Sequence, residues 1–241
     1  MPTKMNKQQM SKFIALRVAD EMIPGTLNNL GVGIPTMIST LVSPEKDIWF
    51  HGENGVIGVG QAAFDIINST NAQGKAADDA DIIDSSGYSV SISPGASFFD
   101  SATSFGIIRG GHLHTTVLGT MEVAENGDIA NYKIPGKVLA GMGGAMDLCV
   151  GARRVIVACI HTNRGMPKLL KRCTLPLTAA GVVKEVVTEM GVFDIQDGRF
   201  VVREYNGEFT PEEIQAATEA ELIFPADVKK MEPRYLEEAM K

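Results

Sequence analysis

Val155-Ile156-Val157-Ala158-Cys159-Ile160 is continuous, short and rich in β-branched residues. Such a run reads as a strand buried on both faces, the kind found in a parallel sheet under helices. On its N-terminal side, Gly141-Met142-Gly143-Gly144-Ala145-Met146-Asp147 reads as a glycine turn opening a helix. On its C-terminal side, Ala180 to Met190 reads as a helix, and Phe193 to Arg203 as a hairpin turning at Asp197-Gly198. Thr210-Pro211-Glu212-Glu213 starts a further helix through a capping box. At the other end, Asn6 and Gln9 have the same box spacing, and Met10, Phe13, Ile14, Val18 and Met22 form one apolar helical face. Leu27 to Leu30 makes a short strand leaving through Gly31-Val32-Gly33, with Pro35 as the first helical residue beyond it. Ile48 to Phe50 is the next strand, Gln61 to Asn68 a helix, and Asn68 to Asp81 an acidic surface loop. Tyr88 to Ser93 alternates as a strand, Ser97 to Gly106 is helical, and His112 to Gly119 is a strand with Leu113 and Val117 on one side. Strands alternating with helices predict an α/β fold: an open, mostly parallel sheet with helices on both faces. Residues 1–241 show no repeat and no linker, so they read as a single domain with a C-terminal helical appendage from about 210.

Composition bounds the function. The chain has 241 residues, 44% of them hydrophobic and 21% charged, with a net charge of -7. That is a soluble globular composition, and the acidic balance argues against nucleic acid as a partner. No apolar run approaches the ~20 residues of a membrane span, and no signal peptide is visible, so a cytoplasmic location is expected. Cys149, Cys159 and Cys173 are odd in number and widely spaced, which reads as free thiols in a reducing compartment. No Cys-x-x-Cys pair offers a zinc site, and no metal is expected.

His51-Gly52-Glu53-Asn54-Gly55-Val56-Ile57-Gly58-Val59-Gly60 carries the most telling side chain. Glu53 sits on a glycine-rich turn at a strand end, where a ligand approaches backbone closely. A glutamate is ionised at neutral pH without help from a base, so Glu53 is a candidate nucleophile; the same residues also suit a plain solvent-facing turn. Gly58-Val59-Gly60-Gln61-Ala62-Ala63 matches a Gly-x-Gly-x-x-Ala dinucleotide fingerprint, with acids about 20 positions on, while Gly31-x-Gly33 lacks the third glycine. Gly141 to Gly144 offers backbone N–H groups suited to an anion or a developing oxyanion. Lys133 and Lys137 lie nearby, and Arg153 and Arg154 read as a solvated basic face. His112 and His114, two apart, would face one way on a strand, and no third metal ligand accompanies them. A permanent carboxylate and a set of amide donors are what acyl transfer between a thioester and a carboxylate needs, since that exchange moves no proton.

The Glu53-Asn54-Gly55 turn resembles the Ser-Glu-Asn-Gly motif of class I CoA-transferases. Ile34-Pro35-Thr36, Ser93-Pro94-Gly95-Ala96, Ile108-Arg109-Gly110-Gly111-His112, Ile134-Pro135-Gly136-Lys137, Gly141 to Leu148 and Cys173 to Thr178 resemble further segments of that family, in its order. The similarity is strongest to the β subunit of the 3-oxoacid (acetoacetate-type) enzymes. The resemblance implies ping-pong CoA transfer between a short-chain acyl-CoA and a carboxylic acid of acetoacetate, acetate or butyrate type. Glu53 would pass through an acyl-glutamyl anhydride and a glutamyl-CoA thioester, and the Gly144 N–H would serve the oxyanion. Asn54, Gly55, Gly31, Gly33, Lys137, Gly141 and Gly143 would contact CoA or substrate. CoA enters as a substrate, no permanent cofactor is implied, and an α subunit completes an α2β2 assembly. Two features depart from the family: Gly52 stands where a serine is usual, and Gln73 to Tyr88 is longer and more acidic, leaving Lys75 as the nearest counterpart of a CoA-contacting lysine. A dinucleotide-dependent oxidoreductase and a non-catalytic effector-binding α/β domain are the alternatives; the second should carry a helix-turn-helix, and none is visible.

Overall fold

The structure, a computed structural model, describes residues 5–62, 81–87, 89–136 and 141–241. The first helix, α1 (Lys7–Ala19), begins at the expected capping box: Gln9 N donates to Asn6 Oδ1 at 3.0 Å and Asn6 N to Gln9 Oε1 at 2.9 Å. Then come β1 (Leu27–Leu30), a 3-10 turn opened by Pro35, α2 (Ile38–Leu41), β2 (Trp49–Gly52), β3 (Val56–Ala62), β4 (Val90–Phe98), α3 (Ser101–Arg109) and β5 (Thr115–Leu118). Short strands β6 (Glu122–Ala124) and β7 (Ile129–Ala130) precede α4 (Ala145–Gly151) and β8 (Arg154–Ala158). The rest is β9 (Thr162–Asn163), β10 (Met166–Pro167), β11 (Leu169–Leu170), β12 (Val183–Val187), β13 (Gly191–Gln196), β14 (Arg199–Tyr205), α5 (Pro211–Ala216), β15 (Lys229–Lys230) and α6 (Pro233–Ala239).

One sheet runs β15-β14-β13-β12-β8-β5-β1-β2-β3-β4. Its centre, β12-β8-β5-β1-β2, is parallel, and antiparallel hairpins flank it on both sides. Strand β8 sits in that centre and alternates between two cores, as its two-sided apolar run requires. Val155 and Val157 pack under α3, α4 and α5 with Ile108, Leu148 and Ile214, whereas Ile156 and Ala158 pack under α1 and α6 with Phe13, Ile14 and Tyr235. Among the described residues no helix is long and apolar enough to cross a membrane. All three cysteines are free, Cys149 and Cys159 buried.

Several expectations need correction. Residues 180–190 are not helical: Val183–Val187 is β12, paired with β8 and β13. Its Glu185, 1% exposed, accepts from Arg154 at 2.6 Å and Arg203 at 2.5 Å. Arg154 also reaches Glu21 at 2.6 Å, so it belongs to an ion network pinning α1 to the sheet rather than to a solvated face. Ser97 and Phe98 end β4, and helix α3 begins only where Asp100 caps it, accepting from Thr103 N at 2.7 Å. His112, Leu113 and His114 precede β5, and Leu113 and Val117 enter opposite cores. Gln61 and Ala62 end a strand, while the remainder of the expected 61–68 helix and residues 68–80 of the acidic loop lie outside the described residues, as do Lys75, Tyr88 and Lys137.

His161, fully buried, makes the 211–218 segment depend on pH. Thr218 Oγ1 donates to Ile214 O at 2.8 Å, so it accepts from His161 Nε2–H at 2.9 Å, while His161 Nδ1 lies 3.0 Å from Thr188 Oγ1. Burial, helped by Lys168, lowers its pKa to about 3. A depressed histidine stabilises above its unfolded pKa of about 6.5 and loses that contribution as pH falls toward the folded value. The stability gap between wild type and His161→Gln should therefore narrow by about 2 kcal/mol from pH 7 to pH 5 in urea unfolding. Taking the difference removes Glu185 and Glu189, whose burial raises their pKa and acts in the opposite sense.

Candidate active site

Strand β1 has β2 on one side and β5 on the other. The chain thus departs in opposite directions from this point, and such a switch in a parallel sheet leaves a crevice beyond the strands' carboxyl ends. Here the ends deliver Gly31-Val32 after β1, Glu53 after β2 and Gly119-Thr120 after β5, and all of them line one cavity of about 590 Å³. Gly141, Met142 and Gly143, leading into α4, form its far wall.

Glu53 is half-buried at the tip of the β2–β3 hairpin. The turn is closed by Gly55 N donating to Gly52 O at 3.0 Å, and Phe99 N donates to Gly55 O at 3.0 Å. Gly55 has φ +121°, and a Cβ there would lie 2.1 Å from Phe99 O, so only glycine permits this approach. At Gly52 a Cβ would meet Asn54 Oδ1 at 2.6 Å. The carboxamide of Asn54 therefore occupies the space where a side chain at position 52 would begin, and its Nδ2 donates outward to Ile83 O at 2.8 Å.

The carboxylate itself is held from two directions. Asn29 Nδ2, on β1, donates to Glu53 Oε2 at 3.2 Å and to His51 O at 3.0 Å. Thr116 Oγ1 on β5 donates to Asn29 Oδ1 at 3.4 Å, fixing which way the carboxamide faces. On the other side Oε1 abuts Gly144: a Cβ on that glycine would lie 3.1 Å from it. Asn28 and Asn29 are poor strand formers in the middle of a strand, and that mismatch is the local signal for Asn29, which is not among the expected site residues.

The expected site residues separate into groups. Glu53, Gly31, Gly141 and Gly143 share the cavity, and Gly144 touches Glu53 through its missing side chain. Gly33 lines a neighbouring cavity of about 810 Å³, which meets the first at Gly119 and Thr120. Asn54 and Gly55 shape the turn rather than the wall. Gly58 and Gly60 lie inside β3, paired antiparallel to β4, so the Gly-x-Gly of the dinucleotide fingerprint is not a strand-to-helix turn. Among the described residues no group of three or more His, Cys, Asp or Glu is placed to hold a metal ion.

Comparison with known proteins identifies the family. A family model described as Coenzyme A transferase matches residues 7–216. The chain is 42% identical over 213 residues to one of the subunits of a succinyl-CoA:3-ketoacid coenzyme A transferase of Helicobacter pylori, covering 88% of this chain and 98% of that protein. It is 41% identical over 222 residues to the beta chain of an acetate CoA-transferase of Haemophilus influenzae, covering 92% of this chain and 95% of that one. Among solved structures, an acyl-CoA transferase (YdiF) from Escherichia coli O157:H7 superposes with a TM-score of 0.74 at 20% identity, a likeness of fold that covers 98% of this chain and 45% of that longer one. With the family model spanning most of its length and relatives above 40% identity along nearly all of it, the chain belongs to the coenzyme A transferase family.

Proposed function

We propose that this chain is the nucleophile-bearing subunit of a CoA-transferase that exchanges CoA between a short acyl-CoA and a carboxylic acid. The observation that carries the reading is Glu53, the one carboxylate among the described lining residues, opening onto the switch-point cavity with one oxygen anchored by Asn29 and the other against Gly144. An oxygen of Glu53 attacks the thioester carbonyl carbon, the C–S bond breaks, and CoA leaves as thiolate with an acyl-glutamyl anhydride behind it. The thiolate then attacks the glutamyl carbonyl, the anhydride C–O bond breaks, and the first acid departs, leaving a glutamyl-CoA thioester. The acceptor acid reverses both steps. No proton moves, so no general base is needed; the oxyanion of each tetrahedral intermediate is what requires a donor, and the Gly144 N–H is the candidate. Losing one such donor typically costs about 3–4 kcal/mol.

The relatives' own names, which make each of them one component of a larger enzyme, support an α-subunit partner, and we place it in an α2β2 assembly in the cytoplasm. Val32 and Met142 on the cavity wall and Ile83 and Phe98 beside the Glu53 turn are exposed apolar side chains that suit such a contact. Acetate, acetoacetate and similar short acids are the proposed acyl class. In the assembled enzyme, acyl-CoA given without acceptor should add the mass of CoA to this chain at Glu53, and acceptor acid should remove it. An active complex that never carries that mass would overturn the covalent route.

A further inference from the structure

Behind the nucleophile lies a buried chain of hydrogen bonds that the exchange chemistry does not itself require. Ser104, on α3, is fully buried and its Oγ donates to the backbone carbonyl of Glu53 at 2.9 Å. His51, on β2, is 2% exposed, and its Nε2 lies 3.0 Å from the same Oγ. A serine hydroxyl has one proton and a carbonyl only accepts, so the proton of Ser104 is committed to Glu53 O. His51 must then be the Nε2–H tautomer and donate to Ser104. Its ring stacks on Phe99, 6.2 Å between centroids and 14° between planes, and its Nδ1 is buried with no partner among the described residues. Burial lowers the His51 pKa to about 4, so the ring is neutral in the physiological range.

We propose that His51 and Ser104 are positioning residues for Glu53: the relay imidazole N–H to hydroxyl to carbonyl clamps the nucleophile's own peptide while Asn29 clamps its carboxylate. The reasoning rests on the proposed role of Glu53 and extends it. The turn is tied at Gly52, at Gly55 through Phe99, and at Glu53 O through Ser104. With the backbone fixed at all three, the only freedom left to the attacking oxygens is rotation about the side chain, and Asn29 removes most of that. Displacements of about 1 Å at a reacting group cost on the order of a hundredfold in rate, so a hydroxyl that prevents this displacement acts on the chemical step and not on CoA affinity. The two residues act in series, so removing both should cost little more than removing one.

The test uses the complete α/β enzyme and follows the single-turnover rate of CoA-adduct formation on this chain. Ser104→Ala and His51→Phe should each form the adduct about thirtyfold more slowly, with acyl-CoA affinity within threefold of wild type, and the double variant should match the slower single one. His51→Phe keeps an aromatic ring against Phe99 but has no donor, whereas His51→Gln gives up the ring and restores an N–H. His51→Gln should therefore recover a large part of the rate that His51→Phe loses, although it packs less well. If Ser104→Ala and His51→Phe react at the wild-type rate, or if His51→Gln is no faster than His51→Phe, the pair serves packing alone and the inference fails while the role of Glu53 stands. Absence of an adduct in active wild type would remove both.

Discussion

Glu53→Gln should leave a folded, assembled enzyme that transfers CoA about 10⁴-fold more slowly or not at all, in line with what loss of a covalent nucleophile costs elsewhere. The substitution is nearly isosteric. A glutamine carbonyl still accepts from Asn29 Nδ2 where Oε2 did at 3.2 Å, so the hairpin tip and its neighbours keep their geometry. What disappears is the negative charge that makes the oxygen nucleophilic and the ability to form an anhydride that thiolate cleaves. A neutral amide attacking the thioester would have to shed a proton, and no base among the described cavity residues besides Glu53 itself is available: Ser85, Thr120, Asn131 and Tyr132 supply its other polar groups. Acyl-CoA affinity should stay within a few-fold, since the remainder of the wall is untouched. Turnover within tenfold of wild type, measured on a complex free of native enzyme, would show that Glu53 is not the nucleophile.

How far the sequence reaches can be seen at individual residues. Strand β8, both capping boxes and the Asp197-Gly198 hairpin were legible because the signal in each is local: an unbroken apolar run, a spacing of three, a dipeptide. The segment 180–190 misled because Val183, Val186, Val187 and Met190 also fall at helical spacing, and Glu185 between them looks like a solvated face. In the fold Glu185 is buried and paired with Arg154 and Arg203, partners 31 and 18 residues away, so no local pattern announces it. Gly58 and Gly60 misled for a related reason. Their lack of side chains serves strand contact: a Cβ on Gly58 would lie 2.7 Å from Ala96 Cβ, and one on Gly60 2.4 Å from Ser91 Oγ. At the site, Glu53 and the Gly141–Gly144 turn stood out because each combines an unusual composition with a strand or helix end. Ser104 and Thr116 did not, since a serine in a helix and a threonine in a strand are ordinary until the sheet order brings them to Glu53 and Asn29.

Gly144→Ala separates the site from the fold more sharply than any other single change. Gly144 has φ -83° and ψ 2°, a conformation alanine adopts without strain, and it precedes a helix of only 7 residues. Exchanging glycine for alanine at a helix N-cap costs about 1 kcal/mol, small against a typical stability of about 5–15 kcal/mol, so the variant should fold and assemble. The new methyl, however, would lie 3.1 Å from Glu53 Oε1, 3.2 Å from its Cδ and 3.4 Å from the Phe105 ring. Phe105 is partly buried against the core, and at that distance its ring makes ordinary contact. The carboxylate must give by a few tenths of an ångström instead, turning out of its alignment with Asn29 and away from the Gly144 N–H. A shift of that kind should lower kcat about tenfold with the thermal midpoint within a few degrees of wild type. Gly106→Ala supplies the matched control: a Cβ there meets nothing within 4 Å, at an exposed position of α3, so it should stabilise by about 0.5–1 kcal/mol and leave transfer alone. If Gly144→Ala were as active as Gly106→Ala, the carboxylate would not rest where catalysis needs it, and the proposed alignment of Glu53 with Gly144 would have to be abandoned.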